Sequence, residues 1–278
     1  MTLKVRNRLL LILFLFAVCC GIINTLLFIR CLTQGSFSTK MISELSREML
    51  PDLFKTTFMP YSPQATAVAI IFFNAYIIAS IALIYSNFEK TQAIEIIFFG
   101  GFLAGCMCEG LRLIPVFMNI WKSDTLSIAI ITRFALGGRI LAVAALFFSV
   151  MFSTPENRQY VERNFLIMLA ISLMTACCIP LNNVRFITQF IVPWGMEKEF
   201  FLLRLALIVA CTIALANKAL TNKSKEMFHE IIGIIMLYTG HGLLYQADSY
   251  TLAGIGAVVL SAGTVFYMRT MHKIYLWK

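Results

Sequence analysis

The sequence predicts an all-α polytopic membrane protein, a helix bundle with about eight transmembrane helices. Of its 278 residues, 59% are hydrophobic and only 13% are charged, whereas soluble domains carry about 25% charged residues. The apolar residues fall into runs of about 20, the length that crosses ~30 Å of hydrocarbon. The polar residues are too few to cover the surface of a soluble protein, which excludes a soluble fold.

Eight apolar runs are expected to form the spans. They cover residues 9–29, 65–86, 93–120, 127–151, 164–182, 199–219, 228–246 and 250–270. The seventh run is short and rich in glycine, but joining it to the eighth would give one span far longer than a bilayer requires.

The amino-terminal run follows three basic residues, as in a signal peptide. It is longer than the roughly 7–15 apolar residues of a signal h-region, so we expect an uncleaved anchor over residues 1–30. Residues 31–64 are expected to form an external loop, within which Ser43–Phe54 fits either a short amphipathic helix or an ordered loop. Residues 65–278 are expected to form a seven-helix bundle.

Lysine and arginine in the loops set the expected orientation, because they favour the cytoplasmic side. With the amino terminus inside, the inner segments hold twelve of these residues and the outer segments seven. This bias predicts that both termini are cytoplasmic in a cell membrane, with the bacterial inner membrane as the expected location. The expected partners are the lipid bilayer, an anionic small molecule or lipid, and another membrane or signalling protein.

The net charge of +9 does not indicate nucleic-acid binding, because the basic residues are scattered at span ends and form no stripe. Seven of the eight cysteines lie within apolar runs, so no disulfide framework or metal motif follows. The three histidines are dispersed, and no span carries a central lysine for retinal. No metal or cofactor is expected.

Intramembrane charges are the most informative feature, because each costs roughly 2.5–3.5 kcal/mol at the bilayer centre on insertion scales. The third span carries Glu109 and Arg112, and the fourth carries Arg133 and Arg139. The two spans run antiparallel, which places Arg139 level with Glu109 and Arg133 level with Arg112. All four are expected to face protein, water or one another.

Small residues accompany these charges on the same helix faces. At 100° per residue, Gly101 and Gly105 share a stripe with Glu109, and this GxxxG spacing favours close helix packing. Gly137 and Gly138 of the fourth span are the expected contact surface.

Arg204 of the sixth span and His241 of the seventh fall at the same predicted depth as Glu109. Four arginines then face one carboxylate, which leaves an excess of three positive charges if the histidine is neutral. Burying that excess unpaired is very costly, and a carboxylate, phosphate or lipid head group would neutralise it. We therefore expect an outward-facing anion site. The alternative is a set of buried ion pairs that only fix helix packing.

Enzymatic alternatives rest on three short segments that contain a cysteine, an arginine and a histidine: Cys108–Arg112, Asn182–Arg185 and His229–Gly233. Piece by piece they resemble the motifs of intramembrane transpeptidases of the exosortase and archaeosortase type. The predicted topology puts Arg185 and His229 on opposite membrane sides. A lipid-modifying enzyme with Glu109 or His241 as base is a further alternative.

The preferred interpretation is a sensor or transport component that is not an enzyme and binds an anion. The order of anchor, external loop and seven spans resembles the plan of bacterial seven-helix sensory domains. The pairing of Glu109 discriminates between the classes, because a catalytic base needs an unpaired carboxylate and a binding site would pair Glu109 with Arg139. A purely structural membrane subunit is the remaining alternative.

Overall fold

The computed structural model describes residues 2–37, 60–89, 91, 93–120, 125–152, 160–182, 186–222 and 226–276. Within these ranges the chain is helical, and the β-type pairing consists of one isolated bridge between Leu181 and Trp194. Eight helices are long and apolar enough to cross a membrane. The predicted all-α membrane bundle is thereby confirmed.

The helices are α1 (Leu3–Thr33), α2 (Pro63–Phe88), α3 (Glu95–Met107), α4 (Thr125–Met151), α5 (Val161–Cys178), α6 (Glu197–Asn222), α7 (Glu226–Tyr245) and α8 (Tyr250–Leu276). Eight crossings return the chain to the side where it began. We call the side that holds both termini the terminal side, and the other the distal side. The segment 43–54, expected to be an amphipathic helix or an ordered loop, lies outside the described residues.

The third span, predicted over 93–120, is confirmed as a membrane-length span over Glu95–Phe117, but it is not one uninterrupted α-helix. After α3 the chain forms a 3₁₀ segment, Cys108–Leu113, and then a one-turn helix, Ile114–Phe117. Pro115 explains the change, because it has no N–H and its ring clashes with the carbonyl four residues earlier. In a 3₁₀ helix, side chains three residues apart eclipse, which aligns Glu109 with Arg112.

Proline also sets other helix boundaries. Pro63 begins α2 at the position where a missing N–H costs nothing. Pro180 follows the end of α5 and holds Ile179 in an extended conformation, with ψ at 127°.

The third and fourth spans form the centre of the bundle. The most apolar windows of Glu95–Phe117 and Thr125–Met151 are each 72% buried within the protein, against 22% for Leu3–Thr33 and for Glu197–Thr221. The helices α1 and α6 therefore lie at the perimeter, and any residue buried on the central spans faces other protein groups.

The helices α3 and α4 touch through glycine. A Cβ atom built on Gly105 would lie 2.5 Å from the carbonyl oxygen of Gly138, so neither position has room for a side chain. Gly101 instead lies against Phe165 of α5, and Gly137 meets α5 at ordinary van der Waals distance. A Cβ atom on Gly101 would also lie 3.5 Å from that of Ala145 on α4, so both glycines of α3 contact α4, whereas on α4 Gly138 meets α3 and Gly137 meets α5.

The helices α7 and α8 form a second close pair. Gly233 and Gly240 on α7, and Gly256 and Gly263 on α8, are each two turns apart. A Cβ atom on Gly240 would lie 2.5 Å from the backbone nitrogen of Leu260. The glycines that made the seventh span look irregular thus let the α8 backbone approach closely.

Candidate functional site

Glu109 lies at the centre of a buried ion-pair network. Its Oε1 accepts a hydrogen bond of 2.7 Å from Arg139 Nε, and its Oε2 accepts one of 3.2 Å from Arg139 Nη2. The same Oε2 accepts a bond of 2.6 Å from Arg112 Nη1. All three side chains are 0–1% exposed. One carboxylate therefore balances two guanidinium groups in the protein interior.

Arg112 also ties the network to the backbone. Its Nε donates to the carbonyl oxygen of Gln189 at 2.7 Å, and its Nη1 donates to that of Tyr245 at 3.2 Å. Gln189 belongs to the connection between α5 and α6, and Tyr245 is the last residue of α7. The 3₁₀ geometry of the third span is what directs Arg112 toward the end of α7.

The ring of Tyr245 lies beside two arginines. The guanidinium carbon of Arg139 is 4.3 Å from the ring centroid, and that of Arg204 is 5.7 Å from it. The two guanidinium carbons are therefore no farther apart than the sum of these distances. Arg204 also packs on Gly242, where any Cβ atom would collide with its guanidinium. Glycine at this position lets Arg204 reach the interior from the perimeter helix α6.

His241 also lies beside the ring of Tyr245. Its ring centroid lies 5.5 Å from that of Tyr245, 5.7 Å from that of Phe102 and 5.9 Å from that of Phe73. The imidazole is thus enclosed by aromatic rings, and its Nε2 has no hydrogen-bond partner.

Four buried nitrogen atoms around Tyr245 have no hydrogen-bond partner: Arg112 Nη2, Arg139 Nη1, Arg204 Nη2 and His241 Nε2. Each of the three arginine nitrogens is a hydrogen-bond donor with no acceptor beside it. Glu109 is the one carboxylate that the described residues place within 4.0 Å of these buried arginines, and it pairs with Arg112 and Arg139 but not with Arg204. The exposed Glu197 acts on Arg139 only at longer electrostatic range. With a neutral histidine the cluster keeps two excess positive charges, and such groups are strongly disfavoured in the interior unless an acceptor joins them.

The connection between α5 and α6, residues 186–196, is tied to the cluster and to neighbouring helices. Besides the bond from Arg112, this connection accepts a bond from Thr66 Oγ1 to the Thr188 carbonyl at 3.3 Å, and Val192 N donates to Thr132 Oγ1 at 3.2 Å. Residues 186–196 therefore lie against the cluster through the Gln189 carbonyl, and an outward-facing site stays a prediction.

The aromatic side chains of the same connection are packed within the protein. Phe190 is fully buried and stacks near Phe186, while Trp194 packs edge-on against Phe200. These aromatic side chains therefore belong to the buried core of the protein.

Arg133 lies apart from the network. Its Nη1 donates to the carbonyl oxygens of Ala176, at 2.9 Å, and Cys177 at the end of α5. The last carbonyls of a helix lack intrahelical partners and carry partial negative charge, so Arg133 caps α5. The structure thus brings together Glu109, Arg112, Arg139, Arg204 and His241, but not Arg133.

Sequence reasoning missed Tyr245, which contacts Arg112, Arg139, Arg204 and His241. No spacing rule identifies it, because its role depends on where α7 ends relative to α4 and α6. It also missed Asn24 of α1, which donates to Asn74 Oδ1 at 3.3 Å and packs on Gly110. A lone asparagine in an apolar run was the available signal.

The segments that resemble transpeptidase motifs are not brought together. Cys108 adjoins Glu109, whereas His229 is exposed at the start of α7, twelve residues from His241. At about 1.5 Å per residue, that separation is about 18 Å along the helix. Arg185 lies outside the described residues, and within those ranges no histidine, cysteine and carboxylate group forms a metal site.

Comparison of the chain with models of known protein families, with curated proteins and with solved structures finds no match. Eight membrane-length apolar helices define the class, a multi-pass membrane protein. Any narrower assignment has to come from the buried site.

Proposed function

We propose that the protein binds a small anion, or the anionic head group of a lipid, within its interior, and acts as a sensor or a transport component of the cell membrane. The observation that carries this proposal is the set of four unpartnered buried nitrogen atoms around Tyr245, in a cluster with three arginines and one carboxylate. An anion with several oxygen atoms accepts forked hydrogen bonds from such guanidinium groups.

The pairing of Glu109 favours binding over catalysis. A general base must have a lone pair available to the substrate, but both carboxylate oxygens already accept bonds from Arg112 or Arg139. Glu109 in this arrangement orients two arginines and lowers the net charge of the site. Arg204, which has no carboxylate beside it among the described residues, is the arginine that an anion would neutralise.

Access to the site from the distal side would require movement of the connection over residues 186–196, since it lies against the cluster. Its link to the cluster is the bond from Arg112 Nε to the Gln189 carbonyl. An anion that draws Arg112 toward itself would weaken that bond, which would couple binding to the position of the connection. Such coupling suits either a transport gate or a sensor output.

Binding is tested with purified protein in lipid nanodiscs, titrated separately with inorganic phosphate, acetate and a short-chain phosphatidic acid while the thermal unfolding midpoint is followed. We expect at least one of these anions to raise the midpoint, because a ligand that binds only the folded state stabilises it. Arg204→Gln should reduce that response at least tenfold in anion concentration, whereas Arg133→Gln, at the α5 cap, should preserve it. Equal responses in both variants would refute the proposal.

A further inference from the structure

A groove lies between α5 and α6, on the side of the arginine cluster that faces the membrane. The helix α4 packs against both α5 and α6, whereas the described parts of α5 and α6 make at most marginal contact with each other. The groove between them has a volume of about 370 Å³. Its floor on α4 and its two walls are formed by Ile140, Val143, Ala144, Ile171, Leu203 and Leu207, among others. We call this space the α5–α6 groove.

The α5–α6 groove is apolar along its length. Thr175 of α5 also lines it, but the Thr175 hydroxyl already donates to the Ile171 carbonyl at 2.8 Å. Glu199, the charged lining residue, is exposed at the distal start of α6. Ile171 and Leu203 on the two walls are 55% and 50% exposed, so the groove opens toward the surrounding hydrocarbon. A hydrocarbon chain fits such a surface, whereas a free inorganic anion would lose its hydration there without gaining a hydrogen-bond donor.

Two arginines of the cluster adjoin the lining of this groove. Arg139 directly precedes Ile140 on α4, and Arg204 directly follows Leu203 on α6. Arg204 is 7% exposed, whereas Arg112 and Arg139 are 0–1% exposed, so the cluster comes nearest to the protein surface at Arg204. The Nη2 atom of Arg204 is buried and has no hydrogen-bond partner. A donor without an acceptor therefore lies next to an apolar groove that is open to lipid.

A groove of similar size, about 380 Å³, lies among α1, α3 and α5 on the terminal side, and we call it the α1–α3 groove. It is also lined by an arginine, Arg6, but the Arg6 guanidinium donates to the carbonyl oxygens of Phe88, Glu89 and Thr91. Glu162, a carboxylate, lines the same groove. Charge complementarity with an anionic head group therefore favours the α5–α6 groove over the α1–α3 groove.

The depth of the α5–α6 groove matches one leaflet of a bilayer. The helices α4 and α6 both run from the distal to the terminal side, so Ala144 and Leu207 lie closer to the bilayer centre than Arg139 and Arg204. On the opposite wall, Ile171 is seven residues before the end of α5, about 10 Å along the helix. A chain that starts from a head group at Arg204 would thus run toward the bilayer centre within one leaflet of ~15 Å.

We propose that the ligand of the arginine cluster is an anionic lipid, whose head group binds Arg204 and whose acyl chain lies in the α5–α6 groove. This proposal rests on the proposed anion site and names the class of its ligand. A carboxylate or phosphate head group accepts forked hydrogen bonds from a guanidinium group, and each methylene group of the chain that is buried adds a hydrophobic contribution. Such a lipid reaches the cluster laterally, between α5 and α6, and does not pass the connection over residues 186–196.

The experiment is photocrosslinking of the protein in phosphatidylcholine nanodiscs that contain a trace of a lipid with a diazirine in its acyl chain. The probe is either phosphatidic acid or phosphatidylcholine with the same chain, and the labelled residues are identified by mass spectrometry. We expect phosphatidic acid to label the groove-lining residues of α4, α5 and α6 about tenfold more than phosphatidylcholine does, as for the gain of one hydrogen bond to a charged group. Arg204→Gln should lower the labelling by phosphatidic acid to the level of phosphatidylcholine.

Ala144→Phe tests the groove without changing any charge, because the larger side chain would occupy the groove floor. Ala104→Phe is the matched control, since Ala104 lines the α1–α3 groove and is half-buried like Ala144. Ala144→Phe should remove most of the excess labelling by phosphatidic acid, and Ala104→Phe should preserve it. The comparison of the two lipids on the wild type needs no variant, so the test stays decisive if a variant does not accumulate.

Equal labelling by the two lipids, or labelling by phosphatidic acid confined to the α1–α3 groove, would overturn the proposal. Excess labelling that survives both Arg204→Gln and Ala144→Phe would also overturn it. If inorganic phosphate or acetate raises the unfolding midpoint through Arg204 while phosphatidic acid does not label the α5–α6 groove, the anion site stands and the assignment of a lipid ligand is wrong. If neither the soluble anions nor phosphatidic acid respond to Arg204→Gln, the anion site itself is refuted.

Discussion

Replacing Glu109 with glutamine perturbs the site with the smallest change of shape. Both carboxylate oxygens accept bonds from guanidinium nitrogens at 2.6–3.2 Å. An amide has one oxygen, so in either orientation its NH₂ group must face an arginine donor. The substitution also raises the excess positive charge of the cluster from two to three.

The expected cost follows from the burial of the pairs. Removing one partner of a buried ion pair destabilises a protein by about 3–5 kcal/mol. With a midpoint shift of about 2–4 °C per kcal/mol for a chain of this size, Glu109→Gln should unfold about 6–20 °C below the wild type. Glu199→Gln, an exposed position at the start of α6, should shift the midpoint by no more than about 2 °C, because surface substitutions usually cost little.

The assay is thermal unfolding in nanodiscs with and without the anion that binds the wild type best. High anion concentration should recover part of the lost stability of Glu109→Gln, because the ligand supplies negative charge that the side chain no longer provides. A Glu109→Gln midpoint within about 2 °C of the wild type would refute the reasoning, since it would show that the carboxylate does not balance buried arginines.

Three further predictions concern packing, capping and topology. Gly105→Leu should lower the unfolding midpoint by several degrees or prevent accumulation, because its Cβ would lie 2.5 Å from the Gly138 carbonyl oxygen. Gly254→Leu is the control and should behave as the wild type, because nothing lies within 4 Å of its Cβ. Equal stabilities of the two variants would contradict the α3–α4 contact. Arg133→Gln should lower the free energy of unfolding by only about 1 kcal/mol, as expected for loss of a helix cap. A loss as large as that of Glu109→Gln would place Arg133 in the ion-pair network. Ser36→Cys in a cysteine-free background should react with an impermeant maleimide from outside the cell, and labelling only from the cytoplasmic side would reverse the predicted orientation.

The helices and their order could be predicted from the sequence because hydrocarbon thickness imposes a length on each apolar run. The pairing of Glu109 with Arg139 could also be predicted, since antiparallel helices of known rise place the two at one depth. Depth alone does not fix direction around the helix axis. Arg133 is predicted at a suitable depth, yet its side chain reaches the carbonyls that end α5.

Other parts of the site depend on features that periodicity does not report. The 3₁₀ segment that aligns Arg112 with Glu109 follows from Pro115, whose effect on the preceding turn is local. The burial of the aromatic residues in 186–196 depends on tertiary packing, because in sequence they also fit a membrane interface. Glu95 and Glu230 lie near span ends, where carboxylates are ordinarily solvated, and only the packing of α8 reveals that they are buried.

The most direct test of the central claim is an experimental structure of the protein in lipid, determined with the anion that raises its unfolding midpoint. The account predicts density for that anion within hydrogen-bond distance of Arg204 Nη2 and of at least one of Arg112 Nη2 and Arg139 Nη1, in the space beside Tyr245. It is contradicted if that density lies elsewhere, or if the three arginine nitrogens instead bond to protein carbonyl oxygens and leave no space for an anion.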